Sequence, residues 1–188
     1  VALGLVRILC RLAVAPFFPM KVEGFDQVPA RGAFVLLPKH QRWQDIPLLG
    51  LSCPRPLYYL AKAELFAGRL GNLACTLLGG LPLDRRRPLA SRRSFVLARQ
   101  VLRDGHALVV FPEGTYFPGR LGPGQEGAVR WLMGCNVPFI PVGIDYRQNG
   151  WRCQVRIRYG QGHHPLPGES SGRFVARLMH AIGRLSGL

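Results

Sequence analysis

The sequence is poor in acidic residues, with 10 Asp and Glu against 25 Lys and Arg and a formal net charge of +15. That balance favours anionic partners: nucleic acid, an anionic membrane or a phosphorylated substrate. Lysine is scarce too. Only Lys21, Lys39 and Lys62 occur, so arginine carries nearly all of the positive charge. Its planar guanidinium suits two-point contacts to phosphate, although a compositional bias toward arginine gives the same balance. Cysteine is neither dense nor patterned. Cys10, Cys53, Cys75, Cys135 and Cys153 are odd in number and scattered, without a C-x-x-C. This argues against a disulfide framework and a zinc site and fits a reducing compartment. No G-x-S-x-G elbow is present: the one such stretch, "GESSG" (168–172), follows the loop "GHHPLPG" rather than a strand, so it does not read as the nucleophile of lipases and thioesterases. The basic residues spread along the whole chain without a recognised binding module, so a nucleic-acid partner is not expected.

Long hydrophobic runs are also missing. The first segment, "VALGLVRILCRLAVAPFFPM", is interrupted by Arg7 and Arg11 and ended by Pro16, too short and too charged to span a bilayer. No small-residue cleavage site follows, so it does not read as a signal peptide. The sequence starts at Val1 rather than at Met, as a trimmed chain or a fragment would. Leu3, Leu5, Val6, Leu9, Leu12 and Ala13 fall on one broad helical face with the arginines toward its edge. Such a helix lies in a membrane interface, where anionic lipid attracts each basic residue by about 1 kcal/mol; the alternative is a helix packed on the core. The expected organisation is a membrane-docking segment over residues 1–20 and one domain over 21–188.

What is present is alternation. "GAFVLLP" (32–38), "PLYYLAK" (56–62), "ALVVFPE" (107–113) and "PFIPVGI" (138–144) are near-continuous apolar runs, as strands covered on both faces require. "CQVRIRYG" (153–160) alternates and predicts a half-exposed edge strand. Helical patterns fall between these runs, at 44–51, 65–78, 89–103, 125–133 and 170–185. The expected fold is therefore a single α/β domain with a largely parallel or mixed sheet flanked by helices, preceded by the N-terminal interface helix.

Four stretches could carry chemistry. His40 ends the first apolar run and Asp45 follows five positions later. On one continuous helix the two would lie about 140° apart, so they meet only if the chain turns between strand and helix. A carboxylate bonded to one imidazole nitrogen leaves the other as a proton acceptor; the plainer reading is a turn histidine beside a capping aspartate. In "VVFPEGT", Gly114 allows a positive φ, and Glu113 to Thr115 offer a loop to an anion or simply form a capped turn. In "GGLPLDR", Arg85 could grip a phosphate, while Arg86 and Arg87 read as a solvated face. "VPFIPVGI" reads as a core strand that lines an apolar slot. His106, His163, His164 and His180 read as turn or surface residues.

Together and in this order, the four blocks resemble the lysophospholipid acyltransferase family, the group of 1-acylglycerol-3-phosphate acyltransferases, over nearly all of the chain from Val1 to Val142. His40 and Asp45 match its H-x-x-x-x-D, "GGLPLDR" its second block, Phe111 to Thr115 its third and Val137 to Val142 its fourth; "AKAEL" (61–65) resembles its lysine-glutamate-leucine stretch. The resemblance implies transfer of an acyl chain from a thioester, on coenzyme A or acyl carrier protein, to a lysophospholipid hydroxyl, with 1-acyl-sn-glycerol-3-phosphate as the first expected acceptor. It implies His40 as general base and Asp45 as its orienting partner, with Arg85, Glu113, Gly114 and Thr115 around the acceptor. Glu113 cannot attract a phosphate, so it is expected to anchor an arginine or bond an acceptor hydroxyl. No bound cofactor or metal is implied. An anionic membrane, at the cytoplasmic face of the inner (plasma) membrane, is the implied location. Three positions depart from the family's usual residues. Lys39 stands in place of asparagine, Arg42 in place of serine, and Tyr116 in place of a phosphate-contacting arginine, with Arg120 four residues on. The last departure makes another lysolipid, such as a lyso-ornithine lipid, or a non-catalytic membrane-binding relative the alternative.

Overall fold

The structure, a computed structural model, describes residues 10–84 and 88–188, with side chains from residue 92 onward in the helix that begins at Pro88. Seven strands form one sheet: β1 (Met20–Glu23), β2 (Phe34–Pro38), β3 (Leu57–Lys62), β4 (Gly80–Leu83), β5 (Ala107–Val109), β6 (Phe139–Asn149) and β7 (Arg152–Tyr159). Their order is β1-β7-β6-β2-β5-β3-β4. The described pairs run parallel except for β6 with β7. The sheet is thus mixed, with a parallel centre.

All five residues of β2 are buried, because helices cover both faces. Side chains alternate across a strand, and the two faces divide accordingly. Val35 and Leu37 join the core beneath α3 (Pro88–Arg103), α4 (Glu126–Leu132) and α5 (Ser171–Ser186). Phe34 and Leu36 join the opposite core beneath α1 (Asp45–Ser52). In α5, Phe174, Val175, Leu178, Met179 and Ile182 make the buried stripe. The Ser170 hydroxyl accepts from the Arg173 N–H at its start, and Gly187 ends it with a φ of 73°, as left-handed helix stops do.

Three sequence expectations change. The alternating strand β7 is half-exposed, but it is not at the edge: β1 pairs with it, Met20 beside Val155. Four residues of "MKVE" are too few to show a period. The apolar run from Ala107 leaves the sheet after Val109, before Pro112, which has no N–H to give a ladder. The 65–78 helix splits into a 3-10 turn, Ala63–Phe66, and α2 (Gly68–Leu77), with Gly68 at a φ of 75° at the break.

Of the proposed docking segment, residues 1–9 lie outside the described residues. The described part is helical over 10–14. Val14 and Phe18 pack on the core, while Leu12 and Phe17 are exposed. Among the described residues no helix is long and apolar enough to cross a membrane.

One glycine sets how closely α5 lies on the sheet. A Cβ on Gly143 of β6 would sit 2.3 Å from the Leu185 backbone carbon. Gly143→Val should therefore cost about 1–3 kcal/mol through overpacking, read as a lower urea midpoint. An unchanged midpoint would contradict this contact.

Candidate active site

β2, β3, β4, β5 and β6 point the same way, so their carboxyl ends gather loops on one side of the sheet, where parallel sheets build sites. His40 follows β2 there. The chain turns between His40 and Asp45, as required for the two to meet, and Asp45 opens α1. Asp45 is fully buried. Its Oδ2 accepts from the backbone N–H of Gln41 (2.6 Å) and Arg42 (2.8 Å) and from His40 Nδ1 (3.0 Å). Its Oδ1 accepts from Tyr146 Oη (2.6 Å). An ionised carboxylate only accepts, so Nδ1 is the donor, and in the neutral ring Nε2 keeps its lone pair. The imidazole is held between two rings, with Phe111 stacked at 3.8 Å and 28° and Tyr116 tilted at 4.4 Å and 57°. Burial and the Asp45 charge hold both the Tyr116 and Tyr146 phenols above the usual tyrosine range, so both remain neutral donors.

Beneath the histidine lies a buried ion pair. Lys39 is 0% exposed and Glu113 2%. Lys39 Nζ donates to Glu113 Oε1 (2.9 Å) and Oε2 (2.8 Å), and to the carbonyls of His40 (3.1 Å) and Phe117 (2.8 Å). Glu113 Oε2 accepts from the His40 N–H (2.8 Å), and Oε1 accepts from Gly122 N–H (2.6 Å). The Phe117 N–H returns to the His40 carbonyl (2.9 Å), and the Gly119 N–H to Gln41 Oε1 (2.9 Å). Gln41 Nε2 then reaches the Ile144 carbonyl of β6 (2.6 Å). These bonds strap the loop after Thr115 onto the histidine loop and set Tyr116 against His40.

His40 lines a cavity of about 290 Å³ with Tyr59, Lys62, Leu65, Thr115 and Tyr116. A second cavity, about 500 Å³, lies toward Phe95 and Gly127 and shares Gly114 and Thr115 with the first. Gly114 has a φ of 70°, a conformation glycine adopts without strain.

The sequence-predicted residues fare differently. His40 and Asp45 meet. Gly114 and Thr115 reach the same cavity as the histidine. Arg85 lies outside the described residues, two positions past the end of β4. Glu113 holds a lysine and two backbone N–H groups rather than the arginine or acceptor hydroxyl expected for it, because Lys39 turns inward under the loop. Arg120 places its guanidinium 5.2 Å from the Phe117 ring centre. Lys39, Gln41 and Tyr146 were not singled out as site residues. For Tyr146 a signal existed: Ile140, Val142, Ile144 and Tyr146 share one face of β6. Among the described residues no group of three or more His, Cys, Asp or Glu side chains converges as a metal site would.

Removing one member of a buried pair strands the other charge. Lys39→Met should therefore lose about 3–5 kcal/mol in chemical denaturation. The double variant Lys39→Met/Glu113→Gln should recover part of that loss, since coupled residues are not additive. Additive losses would contradict the pairing.

Comparison with known proteins bears on the family and the fold. The family model described as Acyltransferase matches residues 19–145. A 1-acyl-sn-glycerol-3-phosphate acyltransferase of Bacillus subtilis is 28% identical over 132 residues, covering 70% of this chain and 65% of that protein. A chloroplastic 1-acyl-sn-glycerol-3-phosphate acyltransferase of Brassica napus is 26% identical over 142 residues, covering 74% of this chain and 41% of that protein. The chain thus spans less than two thirds of the length of such relatives. The crystal structure of PlsC, the 1-acyl-sn-glycerophosphate acyltransferase of Thermotoga maritima, superposes with a TM-score of 0.79 at 22% identity, over 98% of this chain and 78% of that one. At that identity the likeness speaks for the fold. The motif blocks and the match over residues 19–145 together assign the chain: it belongs to the acyltransferase family.

Proposed function

We propose that the protein transfers a fatty acyl chain from a thioester to the free hydroxyl of a lysophospholipid, with 1-acyl-sn-glycerol-3-phosphate as the acceptor and phosphatidate as the product. The observation that carries this reading is the His40–Asp45 pair, with His40 on the wall of a cavity and Asp45 buried behind it. Asp45 uses Nδ1, and Nε2 is left for a hydroxyl. In the proposed step Nε2 takes the hydroxyl proton as the acceptor oxygen attacks the thioester carbonyl. The tetrahedral intermediate collapses, the C–S bond breaks, and the imidazolium returns its proton to the departing thiolate. The Asp45 carboxylate stabilises the imidazolium between these two transfers. No acyl-enzyme forms; holding hydroxyl and thioester together supplies much of the rate.

Lys62, on the cavity wall, and Arg85 would face the acceptor's phosphate, and Gly114 and Thr115 its glycerol. Glu113 would act indirectly, by holding Lys39 and the His40 backbone. Coenzyme A and acyl carrier protein are both compatible donors. The net charge of +15 supports work at an anionic membrane surface, proposed as the cytoplasmic face of the inner membrane.

One observation favours a different acceptor. Tyr116 occupies the wall beside His40 with a phenol held neutral, so it brings no countercharge for a phosphate dianion. A lysolipid with a less anionic head, such as a lyso-ornithine lipid, is the second acceptor that this wall supports.

Purified protein in vesicles with a long-chain acyl thioester and a panel of lysolipids tests both readings. His40→Ala should lower transfer by on the order of 10²–10⁴-fold with an unchanged circular dichroism spectrum. The preferred acceptor then decides what Tyr116 selects. If wild type transfers to no acceptor while both proteins bind vesicles, the chain is a non-catalytic relative.

A further inference from the structure

Tyr146 lies one residue beyond the stretch that matches the family model and in none of the four motif blocks. It is on β6, the strand next to β2. Period-two alternation puts Ile140, Val142, Ile144 and Tyr146 on the face that packs against α1. The first three are fully buried in that core. The strand then runs out over the start of α1, and the fourth side chain arrives at Asp45.

Asp45 Oδ2 is fixed by two backbone N–H groups and by His40. The described partner of Oδ1 is Tyr146 Oη, at 2.6 Å. The torsion that turns a carboxylate is soft and nearly two-fold, so donors to one oxygen alone leave its plane poorly defined. A donor on the second oxygen removes that freedom. The tyrosine is itself held from the loop it serves. The Arg42 guanidinium lies 4.7 Å from the centre of its ring, a cation–π contact, while the Arg42 backbone N–H binds Asp45 Oδ2. Tyr146 does not line the cavity at His40 or the larger one beside it, so it reaches the chemistry through Asp45.

We propose that Tyr146 is a positioning residue. Its hydroxyl fixes the Asp45 carboxylate plane and thereby holds the His40 ring in the Nδ1–H tautomer, with Nε2 free. This rests on the acyltransferase reading above for its kinetic consequence, but not for its structural one.

Tyr146→Phe keeps the ring and deletes only the donor. The expected result is a kcat lowered by about tenfold, in line with loss of an outer partner that orients a functional imidazole. The KM for the acceptor should stay within about twofold, since the residue does not face the cavity. Nitrogen-15 NMR of the His40 ring, assigned by its loss in His40→Gln, should show one Nδ1–H tautomer in wild type. It should show a tautomer mixture in Tyr146→Phe. Wild-type kcat together with an unchanged ring spectrum would overturn the proposal. So would a fall in kcat accompanied by a matching change in KM and an unchanged spectrum, the mark of a packing role alone. If wild type itself transfers no acyl group, the functional reading fails, and the ring spectra still decide the role of Tyr146.

Discussion

A lysine ammonium and a glutamate carboxylate, both taken out of water, hold the ends of this site together. The Lys39–Glu113 pair joins the loop after β2 to the loop after β5, and its spare hydrogen-bonding capacity is used on backbone. Glu113 takes the His40 N–H and Lys39 takes the His40 carbonyl, so the residue with the candidate base is gripped on both sides of its Cα. Buried pairs of this kind add little net stability, because desolvation offsets most of the attraction. What they do impose is geometry: a carboxylate and an ammonium without water must satisfy nearly every lone pair and proton from the protein. Here that requirement draws in His40, Phe117 and Gly122.

The sheet explains why these loops meet. β2, β3, β4, β5 and β6 are parallel, and β5 and β6 flank β2. Residues after β2 therefore meet residues after β5 and on the far half of β6, although the contacts join positions 74 and 101 apart in sequence. Each strand contributes a different kind of support. β2 delivers the histidine, β5 the carboxylate that braces its backbone, and β6 the phenol that binds its aspartate. Aromatic faces from Phe111 and Tyr116 close the ring in. The site's loops carry satisfied outer partners, which is what keeps an imidazole in one orientation.

Much of this was legible in the sequence. Four apolar runs became the sheet centre because runs buried on both faces need no alternation, and the turn between His40 and Asp45 followed from helix geometry. Short elements are harder to read: the four residues of β1 show no period, so from the sequence β7 reads as an edge. Partner choice was not legible at all. The sequence offers Glu113 an arginine or an acceptor hydroxyl, since nothing local indicates that Lys39 turns inward. Tyr146 lies two residues past the apolar run at 138–144, and its role depends on β6 lying beside β2, a pairing between distant segments. Motifs record which residues occur together along the chain, whereas buried hydrogen bonds record which loops the sheet brings together.

Direct hydroxyl attack assisted by His40 is the central claim, and a single-turnover experiment tests it most directly. An acyl thioester labelled in its acyl carbonyl would be mixed with excess enzyme in vesicles carrying 1-acyl-sn-glycerol-3-phosphate, then quenched over time. The account predicts that label leaves the thioester and appears in phosphatidate with a single rate constant, with none bound to protein at any time. Label accumulating on the protein, or released only as free fatty acid, would contradict it.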